Sequence, residues 1–364
     1  MSRPRVDTRR RPLVFVWEVT RACELACRHC RAAATPERHP DELTTAEGKA
    51  LLDAARRFGE GQLVVLSGGD PLVRSDLAEL VAYGTDIGLR MTLTPSGTTS
   101  LTEAKLRELR AAGLSRLALS LDAGVPEAHD AFRGESGSFE TTLRAARMAD
   151  EVSLPLQINT TVCGATVDEL PEVRDLVAEL EARLWSVFFL VPVGRGRVLE
   201  QIPPSRADAV MEWLDRVDQG HDFGVKTTEA PQYRRVKRQI RPPGEAADGP
   251  EAPGAGIIAG DGFAFVSHTG DIYPSGFLPN PVGNVRNEDV VSVYRNHQLF
   301  EQLRDRDALS GKCGACEFRG VCGGSRSRAY AHTGDPLAAD PLCPYLPEGY
   351  DGPLPSPPLG RETP

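Results

Sequence analysis

The sequence "VTRACELACRHCRAA" at residues 19–33 places three cysteines, Cys23, Cys27 and Cys30, within eight positions. It follows an apolar run, "LVFVWEV" (residues 13–19), that is typical of a buried β-strand. In a chain of this length without a recognisable secretory signal, cysteines are more often metal ligands or redox groups than a disulfide framework. A loop of three thiols directly after a strand therefore predicts a metal or redox site.

Strand-like and helix-like segments alternate through the first half of the chain. Buried strands with helices between them indicate a parallel sheet. Six strand–helix units can be counted if the helix near "SRADAVMEWLDRVDQG" closes the last one. Six units are too few for an eight-fold barrel, and no G-x-G-x-x-G motif follows a strand. We therefore predict an α/β fold, a partial (β/α)6 TIM-like barrel, in which Thr44 and Glu47 form a capping box before the first helix.

Polar motifs follow the predicted strands at the point where each strand ends. "SGGD" begins at residue 67, "TPSG" at 94, "SLD" at 120 and "NTT" at 159. Because the carboxyl ends of parallel strands meet at one edge of a barrel, these motifs should lie close to the cysteine loop. The sequence therefore predicts the active site at this end of the barrel.

The count of three cysteines distinguishes between kinds of metal site. A structural zinc site normally has four protein ligands, and no fourth cysteine or well-spaced histidine completes this loop, since His29 lies between two of the cysteines. Three thiolates suit a cubane iron–sulfur cluster that keeps one iron open for a small chelating ligand. Zinc is the alternative.

The spacing C-x3-C-x2-C after the first strand of a partial barrel resembles that of the radical S-adenosylmethionine (SAM) superfamily, and the resemblance covers nearly the whole chain. It implies a [4Fe-4S] cluster on Cys23, Cys27 and Cys30, with SAM bound at the open iron. It also implies an enzyme that cleaves SAM reductively to a 5′-deoxyadenosyl radical, which abstracts hydrogen from an unactivated carbon. The barrel would shield that radical from water.

The resemblance also implies contacts to SAM. "SGGDP" resembles the Gly-Gly-Glu motif that holds the methionine amino group, with Asp70 in place of Glu. His29 stands where the family usually has an aromatic residue near the adenine, and Arg133 would pair with the methionine carboxylate. A strand-end hydrogen bond or a cap is the alternative role for the polar residues. The full implied set is His29, Gly68, Gly69, Asp70, Ser120 and Asp122 (near ribose and methionine), Arg133, and Asn159 and Thr161 (near ribose).

A second group of cysteines lies near the end of the sequence: Cys313, Cys316, Cys322 and Cys343. A four-thiolate zinc site is one interpretation. The group also resembles the SPASM extension of radical SAM enzymes, which in full carries two auxiliary clusters. Ser275 and Arg326 stand where that extension has cysteines, and no cysteine precedes Gly270 where two more belong. The resemblance therefore implies one auxiliary [4Fe-4S] cluster on the four cysteines, in a small SPASM/twitch-like domain. The cluster would transfer an electron or stabilise the domain.

Composition limits the other possibilities. A net charge of −9 argues against binding nucleic acid, and no apolar run is long enough to cross a membrane. We expect the protein to be cytoplasmic. The remaining cysteine, Cys163, is expected to be a core residue. The expected divisions are an N-terminal arm at 1–12, the barrel at 13–220, a linker or mobile region at 221–261, the auxiliary cluster domain at 262–346 and a disordered tail at 347–364.

Three functions remain open. The first is hydrogen abstraction from a small molecule or cofactor precursor, because "VWEVTRACELACRHC" also resembles enzymes that remodel tetrapyrrole side chains in heme and heme d1 synthesis, some by oxidative decarboxylation. Arg195 and Arg197 would meet a substrate carboxylate or be surface charges. The second is maturation of a ribosomal peptide with a separate leader-binding partner, and the third is a non-catalytic electron carrier. A ferredoxin or flavodoxin would supply electrons.

Overall fold

Residues 6–241 and 257–356 are described by the structure, a computed structural model. Within those ranges nine strands form one sheet in the order β7-β6-β5-β4-β3-β2-β1-β8-β9. Each pairing is parallel except that of β8 with β9. The strands are β1 Val14–Thr20, β2 Leu63–Gly68, β3 Arg90–Leu93, β4 Arg116–Ser120, β5 Leu156–Val162, β6 Leu184–Phe189, β7 Gly224–Thr228, β8 Phe263–Val266 and β9 Ile272–Tyr273.

Helices connect the parallel strands and cover the outer face of the sheet. In the described residues these are α1 Thr45–Arg56, α2 Leu77–Asp86, α3 Glu103–Ala111, α4 Pro126–Arg133, α5 Ser138–Glu151, α6 Leu170–Glu179, α7 Pro204–Gly220 and α8 Gln232–Ile240. The expected capping box begins α1: Thr44 Oγ1 accepts from Glu47 N, and the Glu47 carboxylate accepts from Thr44 N. This prediction is confirmed.

Strand β1 shows how the sequence separates the core from the site. Alternate residues of a strand point to opposite faces. Phe15 and Trp17 point towards the helices and are completely buried. Val14 and Val16 point the other way and line a cavity inside the barrel. The apolar core therefore lies between the sheet and the helices, and the inner face of the barrel is left for the site.

The region expected to be a linker, residues 221–261, differs from that expectation. Residues 224–228 form β7, which pairs with β6, and residues 232–240 form α8. The barrel thus has a seventh strand. The segment "FGVKTTE" begins with the alternation of apolar and polar side chains that a half-buried strand shows. The pattern is short and lies close to the Pro/Gly-rich stretch, so the sequence gives only a weak strand signal here. Residues 242–256, the Pro/Gly-rich part, lie outside the described residues.

The C-terminal segment is attached to the barrel through the sheet itself. Strand β8 pairs with β1 from Val14↔Phe263 to Trp17↔Val266, and then turns back into β9. Strands β8 and β9 thus form an antiparallel hairpin. Four short helices follow: α9 Val290–Asn296, α10 Gln298–Arg304, α11 Gly311–Ala315 and α12 Arg326–Thr333. Cys313 lies on α11, and the other cysteines of the second group lie on the segments after α11 and α12.

The two ends of the chain pack differently. In the described part of the expected arm, Arg11 Nε donates to Gln62 Oε1 at 3.0 Å, and Thr8 O accepts from the buried Tyr294 hydroxyl. The expected disordered tail is described as far as residue 356, and the rest lies outside the described residues. In the described residues, no helix has the length and apolar character to span a bilayer.

Candidate functional site

The N-terminal cysteine loop forms one wall of a cavity inside the barrel. The cavity has a volume of about 330 Å³, and Cys23, Cys27 and Cys30 all line it. The loop leaves the carboxyl end of β1 and is closed by a bridge in which Cys23 N donates to Thr35 O at 2.8 Å. The fold therefore brings the three sulfurs together at the carboxyl end of the strands, where the sequence predicted them.

Polar hydrogens are directed at two of the three sulfurs. Leu25 N donates to Cys23 Sγ at 3.4 Å, and Ala34 N donates to Cys30 Sγ at 3.4 Å. Ser96 Oγ lies 3.2 Å from Cys23 Sγ. Burial raises the pKa of the Cys23 thiol, so that ionisation of this thiol depends on binding a positive ion.

Arg195 holds the cysteine loop in place. Its guanidinium donates to Cys27 O and to Ala34 O, each at 2.9 Å, and its own backbone N–H donates to Cys30 O at 3.0 Å. This side chain is therefore not a surface charge. It lines the cavity, and its Nη2 has no hydrogen-bond partner among the described residues, so a contact with a substrate carboxylate stays a prediction. Arg197, the other candidate, is exposed.

The two glycines after β2 allow close contact between two backbone segments. Gly68 and Gly69 line the cavity, and Gly69 N donates to Thr20 O at 2.9 Å. A Cβ atom on Gly69 would lie 2.2 Å from Ala22 O, and one on Gly68 would lie 2.2 Å from Thr20 O. Only residues without a side chain fit beside the start of the cysteine loop.

Asp70 lies behind this wall of the cavity. It is 2% exposed, and its carboxylate accepts from Leu72 N at 3.1 Å and from Thr98 Oγ1 at 3.0 Å. Burial raises the pKa of this carboxyl group. In this arrangement the side chain stabilises the turn, and the cavity is lined by the residues before it, Ser67, Gly68 and Gly69.

Asp122 occupies a similar position behind Arg133. The carboxylate accepts from Thr161 N at 2.8 Å and lies 3.5 Å from Arg133 Nη1. Arg133 also donates to Ser96 O and lines the cavity, as does Ser120. Burial opposes ionisation of Asp122, but His29 and Arg133 outweigh burial and lower its pKa. Arg133 is therefore presented to the cavity as a fixed cation.

His29 is part of a flat apolar surface beside the cluster loop. Its ring stacks on Phe132, with the centroids 4.5 Å apart and the planes at 7°. Burial lowers the pKa of His29 to about 4, although Asp122 acts in the opposite direction. The ring is consequently neutral at pH 7 and can pack against another flat, uncharged ring.

Seven of the nine residues implied to contact SAM line the cavity. Asn159 and Thr161 face inward on β5, and Gln157 below them donates to Asn159 Oδ1 at 2.7 Å. The two aspartates, Asp70 and Asp122, are not among the lining residues. The lining residues of the set are His29, Gly68, Gly69, Ser120, Arg133, Asn159 and Thr161.

The second cysteine group surrounds a small cavity of its own. Cys313, Cys316, Cys322 and Cys343 all line it. Asp340 N donates to Cys313 Sγ at 3.5 Å, and Gly324 N donates to Cys322 Sγ at 3.4 Å. Burial raises the pKa of Cys343 to about 12. The fold thus assembles four thiols from α11, the following loop and the segment after α12.

Ser275 and Arg326, the two positions where the resemblance to the SPASM extension leads us to expect further cysteines, have different surroundings. The Glu229 carboxylate accepts from Ser275 Oγ at 3.2 Å, from Ser327 Oγ at 2.9 Å and from Ser325 Oγ. Arg326 is completely buried and donates to backbone carbonyls. Glu229 was not anticipated, because its strand was not.

A buried ion pair links the barrel, the cysteine loop and the C-terminal segment. Glu18 on β1 accepts from Arg31 Nη2 at 2.7 Å and lies 2.8 Å from His268 Nδ1. Burial raises the pKa of Glu18, but Arg31 and His268 outweigh it, so that the net shift is downward. The acidic residue in the otherwise apolar "VFVWEV" was the signal that sequence reasoning could have used.

Cys163 is separate from both cysteine groups. It is completely buried among Phe132, Leu190 and Leu199, and its Sγ lies 3.5 Å from Thr166 Oγ1. The expectation that it is a core residue is confirmed.

The two cysteine groups share one kind of surrounding. Each group lines a cavity, with backbone N–H groups directed at the sulfurs. Thiolates that accept such hydrogen bonds are the usual ligands of iron–sulfur clusters.

Comparisons with known proteins agree with this geometry. The profile of the Radical SAM superfamily matches residues 17–177. The chain is 41% identical over 341 residues to an AdoMet-dependent heme synthase from Methanosarcina barkeri, covering 92% of this chain and 97% of that protein. It is 30% identical to a pre-heme d1 synthase from Dinoroseobacter shibae, covering 92% of this chain and 86% of that protein.

A solved structure gives the same result for the fold. The SAM-bound SuiB of Streptococcus suis has a TM-score of 0.74 with 17% identity, and the match covers 92% of this chain and 78% of SuiB. At this level of identity the likeness concerns the fold, and it confirms the partial radical SAM barrel.

Proposed function

This chain belongs to the radical SAM superfamily, and from that membership we propose that it is an enzyme of tetrapyrrole synthesis that removes side-chain carboxyl groups by oxidative decarboxylation. Its cofactors are SAM and [4Fe-4S] clusters, as in the relatives. One observation carries the proposal: the likeness to a heme synthase extends over nearly the full length of both chains.

The residues of the N-terminal site have the following proposed roles. Cys23, Cys27 and Cys30 would hold the first cluster, and Arg133 would bind the SAM carboxylate because it is a buried cation directed into the cavity. His29 would pack against the adenine. When bound, the cluster and SAM together supply a hydrogen-abstracting radical.

The two aspartates would act through their neighbours. Asp122 would fix the orientation of Arg133, and Asp70 would hold the turn that presents the backbone of Gly68 and Gly69 to the SAM methionine. This proposal follows from their hydrogen bonds, because both carboxylates already have protein donors.

The proposed reaction converts a propionate side chain into a vinyl group. The side chain loses one hydrogen atom from the carbon next to the ring. The carbon–carboxyl bond then breaks to release carbon dioxide, and one electron leaves the substrate as the double bond forms. The four cysteines of the second group would hold an auxiliary cluster that accepts this electron. A ferredoxin or flavodoxin would supply the electron for SAM cleavage, in the reducing cytoplasm where the cysteines stay free.

The test is anaerobic reconstitution with iron, sulfide, SAM, dithionite and iron coproporphyrin III, a tetrapyrrole with propionate side chains. We expect 5′-deoxyadenosine together with a product that mass spectrometry shows to have lost carboxyl groups. Cys30→Ala should abolish both. Formation of 5′-deoxyadenosine with the tetrapyrrole left intact would contradict the proposed substrate class while leaving the superfamily chemistry in place.

A further inference from the structure

The barrel cavity has an unusual balance of charge. Among the described residues that line it, one carries a carboxylate, Glu229. The cationic lining residues are Arg31, Arg116, Arg133, Arg195 and Lys226. The chain as a whole has a net charge of −9, so this cavity is positive within an acidic protein. A cavity of this kind attracts anions.

Three of these cations already have partners in the protein. Arg31 pairs with Glu18 at 2.7 Å, and Arg133 lies 3.5 Å from Asp122. Arg195 donates to two carbonyl groups of the cysteine loop. These contacts fix the positions of the three arginines around the proposed cofactor site.

Arg116 and Lys226 are different. Within residues 6–241 and 257–356, neither of them makes a hydrogen bond or ion pair, and the carboxylate of Glu229 is occupied by three serine hydroxyls. Burial, and to a smaller extent the nearby Arg116, lower the pKa of Lys226 to about 8. Two cations that line one cavity without a counter-ion leave an uncompensated positive charge there, which an anionic ligand would neutralise.

The sheet register gives the depth of both residues. Ser120 pairs with Asn159, Asn159 with Ser186 and Ser186 with Lys226, so that Lys226 lies level with the proposed ribose contacts. Arg116 precedes Ser120 by four residues on the same strand, which is about 13 Å at 3.3 Å per residue. The pair therefore extends from the level of the cofactor site towards the opposite end of the barrel.

We propose that Arg116 and Lys226 form a carboxylate-binding site that anchors the substrate inside the barrel. The planar guanidinium suits a carboxylate, and the ammonium adds a second donor. This inference rests on the proposed function for the identity of the substrate, a tetrapyrrole with several propionates. The site itself requires only an organic carboxylate.

The anchored carboxylate is not the one that leaves as carbon dioxide. Ion pairing stabilises a carboxylate relative to neutral carbon dioxide, so that a paired group resists decarboxylation. The depth of Arg116 also separates it from the cysteine loop. The site would thus hold one propionate while another reaches the carboxyl end of the strands, which sets the orientation of the ring.

The first experiment does not depend on a tetrapyrrole. The cluster-loaded wild-type protein is treated with formaldehyde and cyanoborohydride under anaerobic conditions, and methylation of Lys226 is quantified by peptide mass spectrometry with and without glutarate. We expect glutarate to slow methylation of Lys226 at least fivefold in the wild type and to have little effect in Arg116→Gln. Equal rates with and without glutarate in the wild type would overturn the site.

The second experiment tests the substrate. Binding of iron coproporphyrin III is compared with binding of its carboxamide analogue, which has the same shape without the charges. Arg116→Gln and Lys226→Gln should each reduce the ratio of the two affinities about tenfold or more, whereas Lys226→Arg should retain it. Arg90→Gln is the matched control, because Arg90 is an exposed cation at the start of β3, close to Arg116, and does not line the cavity.

The outcomes separate the two proposals. If glutarate protects Lys226 but the wild type binds neither porphyrin, the anchor site stands and the proposed function fails. If the porphyrin acid binds and reacts but its preference over the amide is the same in all variants, the proposed function stands and the anchor site is wrong. If Arg90→Gln lowers the ratio of the two affinities as much as Arg116→Gln does, the preference for the acid is a general effect of surface charge. That result would also overturn the anchor site.

Discussion

At the scale of single residues, the polar side chains of the site are held in position by hydrogen bonds and ion pairs with other protein groups. Asp122 is the clearest case: it receives a hydrogen bond from Thr161 N, lies beside Arg133 and His29, and its own N–H donates to His129 Nδ1. A buried network of this kind holds its members in one geometry. The orientation of Arg133 is therefore set by the protein rather than by the ligand.

Arg133 gives the most direct test of this geometry. In Arg133→Lys the charge is kept but the planar fork is lost, so that the carboxylate of SAM loses a hydrogen bond and the contact to Ser96 O is broken. We expect the KM for SAM to rise about tenfold with a smaller change in kcat, measured by 5′-deoxyadenosine formation. Arg174→Lys, at an exposed ion pair with Asp175, should change neither value.

The buried His129 makes stability dependent on pH. Burial lowers its pKa to about 4 from an ordinary value of 6.5. Between these values the unfolded chain binds a proton and the folded chain does not, so that stability falls as the pH is lowered through 6.5. From pH 8 to pH 5.5 this histidine should remove about 1.4 kcal/mol of the free energy of unfolding.

Replacement of His129 tests this assignment. In His129→Asn the side-chain oxygen can still accept from Asp122 N, but no group titrates in this range. The free energy of unfolding of the cluster-loaded variant is measured with urea at pH 8 and pH 5.5. Its decrease between these pH values should be smaller than that of the wild type by about 1.4 kcal/mol. His29, whose pKa is lowered to the same value, remains in both proteins. An identical loss in wild type and variant would contradict the assignment.

A site residue could be predicted from the sequence when the residues that determine its position lie close to it in the chain. Cys23, Cys27 and Cys30 could be predicted from their spacing and the resemblance it carries, because three thiols on one short loop are necessarily close to one another in space. The inward or outward direction of Asp70 could not, because its partner Thr98 comes from a different loop. Lys226 was missed, since the strand that directs it inward was interpreted as a linker.

At the scale of secondary-structure elements, the contact between β1 and β2 determines where the cysteine loop begins. Their register runs from Phe15↔Val64 to Thr20↔Gly68 and contains an irregularity after Glu18. The following residue, Gly69, then touches the first turn of the loop. The strands thus position the loop through a backbone contact that no side chain could replace.

Gly69→Ala should disrupt this contact. Its Cβ would lie 2.2 Å from Ala22 O, a distance that forces the two backbone segments apart. We expect a loss of about 1–3 kcal/mol in the free energy of unfolding, together with weaker SAM binding, measured by denaturant titration and equilibrium dialysis. Gly220→Ala is the control, because nothing lies within 4 Å of a Cβ at that helical position, and it should be neutral or slightly stabilising.

The elements predicted from sequence were those with a strong local signal. The capping box of Thr44 and Glu47 and the strand–helix alternation are local, and both were confirmed. The partnership of β8 with β1 was not predictable, because it joins residues about 250 positions apart in sequence. Hydrophobic alternation identifies a strand but does not identify its neighbour.

At the scale of the whole molecule, the two cysteine groups should be separable by chemistry. Cys343→Ala removes one ligand of the second group, so that iron content should fall from roughly eight atoms to roughly four per chain. We expect formation of 5′-deoxyadenosine to continue while conversion of the tetrapyrrole slows severely, because the electron leaving the substrate has lost its acceptor.

Cys27→Ala is the matched variant, since it removes one ligand of the first group and should halve the iron content equally. It should, however, abolish 5′-deoxyadenosine formation. Iron analysis and product chromatography measure both effects. Equal loss of 5′-deoxyadenosine in Cys27→Ala and Cys343→Ala would contradict the division of roles.

The join between β1 and β8 has a consequence for any attempt to divide the protein. Without β8, the N–H and C=O groups along one side of Val14–Trp17 would be bare, and exposed strand edges of this kind recruit strands from other molecules. In a fragment that ends before residue 257, β1 would become an exposed edge strand of the sheet. If the isolated barrel precipitates, we would attribute this to pairing between exposed β1 strands of different molecules and not to loss of the active site.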